Sequence, residues 1–407
     1  MDVKTAFLNG EIEHTIFMEP PPGSTDYGDK NTVWKLRKSL YGLKQASRSW
    51  YQKAKEEFGR IGFTRCDTDH AVFIHKTNNQ KFCIIALYVD DLMILCNDVL
   101  LLTSKKGQLQ DAFKMKDLGP IHWFLGLEIT RDRSRHLIHV SQTRYVTNIV
   151  ERFGLSNARP ISTPVPANFK LPQLDSPEVD IRDYQSRIGS IMYAMLGTRP
   201  DIAYAVGALS QYSANPGQAH LDAVNRVLKY LNCTRNYTLA FNGKDHNDDW
   251  TAYSDSDWAG DPRDHKSISG YVFKMAGGAV LWSSKKQPST ALSSTEGEYM
   301  ALTHAAKEAI WTKNFIGDVL QSSTSPITIL GDNQGALALA VNPTFHARTK
   351  HINVRQHFIR DCVYDGDIKL EYVPTGDQIA DILTKGLNFA KHDRFRKGLG
   401  VVDRSRH

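Results

Sequence analysis

The stretch that most limits the fold runs from Phe82 to Cys96: Phe-Cys-Ile-Ile-Ala-Leu-Tyr-Val-Asp-Asp-Leu-Met-Ile-Leu-Cys. It is an apolar run broken at its centre by two adjacent carboxylates. Each half has the length and the β-branched, aromatic content of a buried strand. Two unpaired aspartates inside such a run would cost several kcal/mol and would repel each other. A tight turn with a divalent cation in front of it removes both penalties. The expectation is strand, carboxylate turn, strand, with Asp90 and Asp91 at the sheet edge. An ordinary hairpin with Asp-Asp as turn residues is the competing reading.

A chain of 407 residues has room for two or three domains with sizeable cores. A net charge of +6 and a pI near 8.9 mildly favour a polyanionic partner. No apolar run reaches the ~18 residues of a membrane span, and no signal peptide opens the chain. A soluble cytosolic or nuclear protein, not a secreted or membrane one, is therefore expected. The five cysteines are scattered without a C-x-x-C pair, which predicts reduced thiols and not a zinc site.

Local patterns give the rest of the outline. Trp50, Ala54 and Phe58 recur at helical spacing, and Gly59 to Gly62 end that helix. A helix is predicted over 98–116, capped by Asn97 or Asp98, then a hairpin from strands 123–129 and 137–140. Prolines crowd 160–177, which predicts an extended linker, and 184–196, 202–212 and 221–231 read as amphipathic helices. Beyond Trp250, strands at 250–254, 269–275, 279–284 and 327–331 alternate with helices at 294–320, 333–341, 351–365 and 377–385. That order predicts a mixed α/β domain. The basic stretch from Lys391 to His407 is expected to fray.

Two sets of carboxylates stand out. Asp2, Asp90 and Asp91 lie in the first part. Asp255, Glu298, Asp332 and Asp381 lie at the ends of predicted elements in the last part. Glu298 is preferred to Glu296, and Asp255 to Asp257, as ligands; Glu298 falls in line with Leu302 on the helix side that faces the sheet. Carboxylates gathered from separate elements hold divalent cations, and hard oxygen donors suit Mg²⁺, with Mn²⁺ as substitute.

Three segments, Met1 to Gly10, Leu40-Tyr41-Gly42-Leu43-Lys44-Gln45 and the Asp90-Asp91 hairpin, together resemble motifs A, B and C of copia-type retrotransposon reverse transcriptases. The Asp, Glu, Asp, Asp series resembles the ribonuclease H domain that follows them. The resemblance implies Asp2 and Asp90 as direct metal ligands, with Asp91 peripheral. It also implies Phe7 under the nucleotide sugar, and Lys44 and Gln45 beside the nucleotide or template. Leu118-Gly119-Pro120 and Phe124-Leu125-Gly126 would steady the primer terminus. The run around Arg348, Lys350, His351 and Arg355 would contact an RNA–DNA hybrid, although a solvated basic face explains it as well. Many cellular ribonucleases H carry a histidine shortly before the last aspartate; Glu371-Tyr372-Val373-Pro374 stands there, which predicts slower turnover.

The resemblance implies an α+β palm-type polymerase subdomain (1–155), a helical thumb or connection (156–248), a mixed α/β ribonuclease H-like domain (249–390) and a basic tail (391–407). It implies two Mg²⁺ per active site, and RNA template, DNA primer, RNA–DNA hybrid and deoxynucleoside triphosphates as partners. The family's fingers precede motif A, and no counterpart precedes Asp2. DNA synthesis by this chain is therefore expected to be impaired, while hybrid cleavage is expected to survive. The alternative is a nucleic-acid-binding remnant without catalysis.

Overall fold

The computed structural model describes residues 1–170, 179–244, 250–321, 325–341 and 353–404, with only the backbone of 353–357. The described chain forms two compact units: Met1–Ile121 together with the stretch beginning at Asn314, and His122–Lys313 with the rest of the chain.

The first unit contains strands β1 (Asp2–Val3), β2 (Phe17–Met18), β3 (Trp34–Lys35), β4 (Thr64–Arg65), β5 (Val72–Lys76), β6 (Phe82–Tyr88), β7 (Asp91–Cys96) and β8 (Met115–Lys116). Its helices are α1 (Ala46–Arg60) and α2 (Val99–Ala112). Six strands form one antiparallel sheet in the order β4-β5-β6-β7-β1-β8, and β2 and β3 pair separately. The predicted hairpin is present, with Tyr88 opposite Asp91 and each apolar half paired along its length. Trp50, Ala54 and Phe58 bury the inner stripe of α1 against Ile85, Leu92 and Phe113. The Asp98 side chain caps α2 by accepting from Leu101 N. That helix ends at Ala112, short of the predicted limit. Phe113 turns extended, and Met115 and Lys116 pair with Val3 and Asp2 instead.

The second unit begins with β9 (Trp123–Phe124), β10 (Leu127–Asp132) and β11 (Leu137–Ser141), followed by α3 (Thr143–Arg152), α4 (Ile181–Gly197), α5 (Ala203–Ser210), α6 (Gln218–Cys233) and β12 (Tyr237–Asn242). It continues with β13 (Thr251–Ser256), β14 (Ile268–Met275), β15 (Gly278–Lys286), α7 (Ser294–Leu320, counted with the first unit from Asn314), β16 (Ile327–Gly331), α8 (Gln334–Val341), α9 (Asn353–Tyr364), β17 (Ile368–Tyr372), α10 (Phe389–Gly398) and β18 (Val401–Asp403). Helices α3 to α6 share one core through residues such as Val150, Ile191, Leu209 and Leu228.

A mixed sheet runs in the order β15-β14-β13-β16-β17: β13 to β15 are antiparallel, and β13, β16 and β17 are parallel. Ala305, Ala306 and Ala309 bring α7 close against it. The expected α+β and mixed α/β classes are thus both present. Two expectations need correction. The helix predicted over 377–385 is two short 3₁₀ turns, Thr375–Asp377 and Ile379–Leu383. Between them Gln378 is extended, and its buried side chain donates to Ser254 O at 3.0 Å. The basic tail is also not frayed through Arg404: Phe395, Leu399 and Val401 are buried, and β18 pairs with β12.

Candidate metal centres

In the first unit the sheet brings the carboxylates near one another. β1 lies between β7 and β8, so Asp2 stands directly opposite Asp91, and Val3 N donates to Asp90 O at 2.8 Å. Val89 adopts φ +52°, a left-handed turn unusual for a β-branched residue. The buried Trp50 holds that turn by donating from Nε1 to Val89 O at 2.8 Å. Tyr41 Oη donates to Asp90 Oδ2 at 2.8 Å, while Asp90 Oδ1 is buried with no hydrogen bond. Burial first, then the charge of Asp2, raises the Asp91 carboxyl above its ordinary range. Phe7 lies against the Tyr41 ring at 4.6 Å, Lys44 is exposed, and Gln45 immediately precedes α1. Asp2, Asp90 and Asp91 do not close into a group of three oxygens within 4.8 Å.

Among the described residues, one such group exists: Asp255, Glu298 and Asp332, whose ligand atoms lie within 4.8 Å of one another. The sheet explains two of the three. β13 and β16 are parallel neighbours with Tyr253 opposite Leu330. Asp255 and Asp332 each follow two residues later, so they leave adjacent strand ends side by side. Glu298 comes from the first turns of α7, where Gly297 lets the helix approach: a Cβ there would lie 3.1 Å from Ser256 Oγ. The fully buried Gln287 fixes that approach, donating from Nε2 to Gly297 O at 2.9 Å and to Ser269 Oγ at 2.9 Å.

Asp381 reaches the same strand end by another route. Gly270, opposite Asp255, leaves space for the 3₁₀ turn; a Cβ there would lie 2.8 Å from both Leu383 and Thr384 side-chain carbons. Thr384 Oγ1 donates to Asp255 Oδ2. Asp381, wholly buried, is not one of the convergent three. It is paired with Lys385, 2.6 Å from Oδ1, and with Lys391 at Oδ2. The two near neighbours have other work: Asp257 accepts from Ile268 N, and Glu296 accepts from Leu292 N at 2.7 Å.

The electrostatics match a site shaped for cations. Burial, then Asp255 and Asp332, pushes the Glu298 carboxyl up to about 9. Burial, moderated by Lys385, pushes Asp255 up to about 7. Burial alone disfavours the Lys385 charge, but Asp255 and Asp381 outweigh it and keep the ammonium protonated. Three repelling hard-oxygen donors, Asp255, Glu298 and Asp332, fit a hard divalent cation. Lys385 and Lys391 were not singled out from sequence, although Lys385 lies four residues after Asp381. Arg348, Lys350 and His351 lie outside the described residues, as does the side chain of Arg355.

Residues 1–167 match the family model described as "Reverse transcriptase (RNA-dependent DNA polymerase)". The retrovirus-related Pol polyprotein from transposon TNT 1-94 of Nicotiana tabacum is 43% identical over 98% of this chain. The chain spans 30% of that protein's length. The putative transposon Ty5-1 protein YCL074W of Saccharomyces cerevisiae is 33% identical over 76% of this chain and is matched over its full length. A solved foamy viral protease-reverse transcriptase in complex with RNA/DNA hybrid aligns with 92% of this chain and 46% of that one, at 13% identity and a TM-score of 0.47, a likeness that carries no weight. Among the described residues no helix is long and apolar enough to cross a membrane. By its identity to these relatives, the chain belongs to the Pol polyproteins of copia-type retrotransposons.

Proposed function

We propose that the last part of the chain, residues 249–390, cleaves the RNA strand of RNA–DNA hybrids at Asp255, Glu298 and Asp332. The observation that carries this reading is the meeting of three carboxylates, from two parallel strand ends and one facing helix, within 4.8 Å. Like charges crowded this closely raise one another's proton affinity and are relieved by a divalent ion. Two bound Mg²⁺ would orient the attacking water and neutralise charge on the leaving oxygen.

The chain's own groups supply the frame. β13 and β16 fix the spacing of Asp255 and Asp332, and Gln287 fixes the start of α7 and so Glu298. Thr384 orients Asp255 through its hydroxyl. Lys385 adds positive charge 3.6 Å from Asp255, where it would favour an anionic scissile phosphate. Arg348, Lys350, His351 and Arg355 are proposed to hold the hybrid.

The experiment is cleavage of labelled RNA in a hybrid by the Asp332→Asn variant. The expected result is loss of cleavage with a cooperative melting transition retained; unchanged cleavage rejects the assignment.

For residues 1–155 we propose the palm of an RNA-directed DNA polymerase, with residues 156–248 as its connection. The buried, unbonded Asp90 Oδ1 beside Asp2 and Asp91 favours a cation site there. Phe7, Lys44 and Gln45 would border the deoxynucleoside triphosphate. Primer extension on an RNA template, lost in Asp90→Asn, is the test. A chain that binds hybrid but neither cuts nor extends it would instead be the non-catalytic remnant.

A further inference from the structure

The fourth carboxylate of the ribonuclease H-like unit is already neutralised by the protein. Asp381 has no exposed surface, and a lysine stands at each of its oxygens. Lys385 lies two residues past the 3₁₀ turn that carries Asp381. Its ammonium sits between two carboxylates, 2.6 Å from Asp381 Oδ1 and 3.6 Å from Asp255 Oδ2. Lys391 comes from the first turn of α10. Asn388 caps that turn by accepting from Lys391 N at 3.0 Å, and Phe395 and Leu399 anchor the helix in the core. Lys391 is thus delivered by a docked helix, not by a loose tail.

A cation shared by Asp255 and Asp381 would have to occupy the space that the Lys385 ammonium fills. A divalent ion and an ammonium a few ångströms apart, in a partly buried site, repel strongly. Glu298 and Asp332, unlike Asp255, have no lysine ion pair among the described residues. The two positions are therefore not equivalent.

We propose that, without nucleic acid, Lys385 acts as a tethered cation in the second metal position, steadied by Lys391 on the far oxygen of Asp381. The free site then holds one divalent ion, at Asp255, Glu298 and Asp332. A second ion enters only when Lys385 leaves the carboxylates, as it would when a scissile phosphate offers the ammonium another anion. This rests on the ribonuclease H reading, and it makes Lys385 a positioning residue for the metal.

The test counts Mn²⁺ bound to the full chain without nucleic acid, from the loss of the free-ion electron paramagnetic resonance signal. An Asp2→Asn, Asp90→Asn background removes binding at the N-terminal carboxylates. One bound Mn²⁺ is expected in that background, two after Lys385→Met, and one again after Lys385→Arg, which keeps the charge. Two Mn²⁺ with Lys385 in place overturn the inference, even if the Met variant fails to fold. So does a folded Lys385→Met variant that still binds one. If Asp332→Asn leaves Mn²⁺ binding unchanged, the ribonuclease H reading itself fails; if it removes binding while Lys385→Met changes nothing, only the tethered cation fails.

Discussion

Replacing Glu298 by Gln should stabilise the metal-free protein, and more so as the pH rises. The Glu298 carboxyl accepts from the Ser256 N–H and faces Asp255 and Asp332 within 4.8 Å. Gln keeps the accepting oxygen and the shape but not the charge. One pair of unit charges at that distance repels by about 3.5 kcal/mol at an effective dielectric of ~20. The folded carboxyl titrates at about 9, against 4.5 ordinarily. Its folded value is the higher one, so the folded chain keeps a proton that the unfolded chain releases. Stability is unaffected below about 4.5, falls as the pH rises from there, and levels off above about 9. At pH 8.5 linkage sets a ceiling of about 5 kcal/mol, and partial exposure of the side chain reduces this to about 2–3 kcal/mol. That corresponds to about 5 °C in melting temperature for a unit of this size. The assay is thermal unfolding in EDTA at pH 5 and pH 8.5, repeated with 10 mM Mg²⁺. The variant should melt higher at pH 8.5, the gap should shrink at pH 5, and Mg²⁺ should raise wild type more than the variant. A variant that is less stable at pH 8.5 in EDTA, or a gap independent of pH, refutes the reasoning.

Three further outcomes follow from the same structure. Asp255 at about 7 and Glu298 at about 9 must lose protons to bind a cation, so Mg²⁺ affinity should rise between pH 6 and 9, with net proton release seen by calorimetry in buffers of different ionisation enthalpy. Gly270→Ala drives a methyl to 2.8 Å from Leu383 and Thr384; it should cost about 1–3 kcal/mol in urea unfolding and weaken Mn²⁺ binding by displacing the Thr384 bond to Asp255. Asp201→Asn leaves the wholly buried Arg199 without the carboxylate that accepts from its Nε and Nη2 at 2.9 and 2.8 Å. It should destabilise the second unit by about 3–5 kcal/mol, again read by urea unfolding, without removing the cation site.

How legible this was depended on whether an element is fixed locally. The hairpin around Asp90, the α1 stripe of Trp50, Ala54 and Phe58, the Asp98 cap and the long α7 all carry their own periodicity or capping residue, and the structure contains them. β1 and β8 are two residues each and exist through their pairing with one another, a tertiary fact with no local pattern. β17 is different: Ile368 to Tyr372 alternates apolar with polar residues, a local strand signal that the sequence outline leaves out, and the segment pairs with β16. The segment 377–385 has helical spacing, yet the Gln378 side chain bonds to β13 and breaks it into 3₁₀ turns. The last residues read as frayed because of their charge. Phe395, Leu399 and Val401 were the signal that they dock. The pairing of Lys391 with Asp381 was illegible in principle, since it depends on where that docking puts α10.

The central claim is that Asp255, Glu298 and Asp332 are cation ligands and not merely crowded acids. The most direct measurement is an anomalous difference map from crystals of the chain equilibrated with Mn²⁺. A peak within bonding distance of all three carboxylates is the predicted result. A map with no density at the ends of β13 and β16, or with the ion bound elsewhere while these three stay paired through protons, would contradict it.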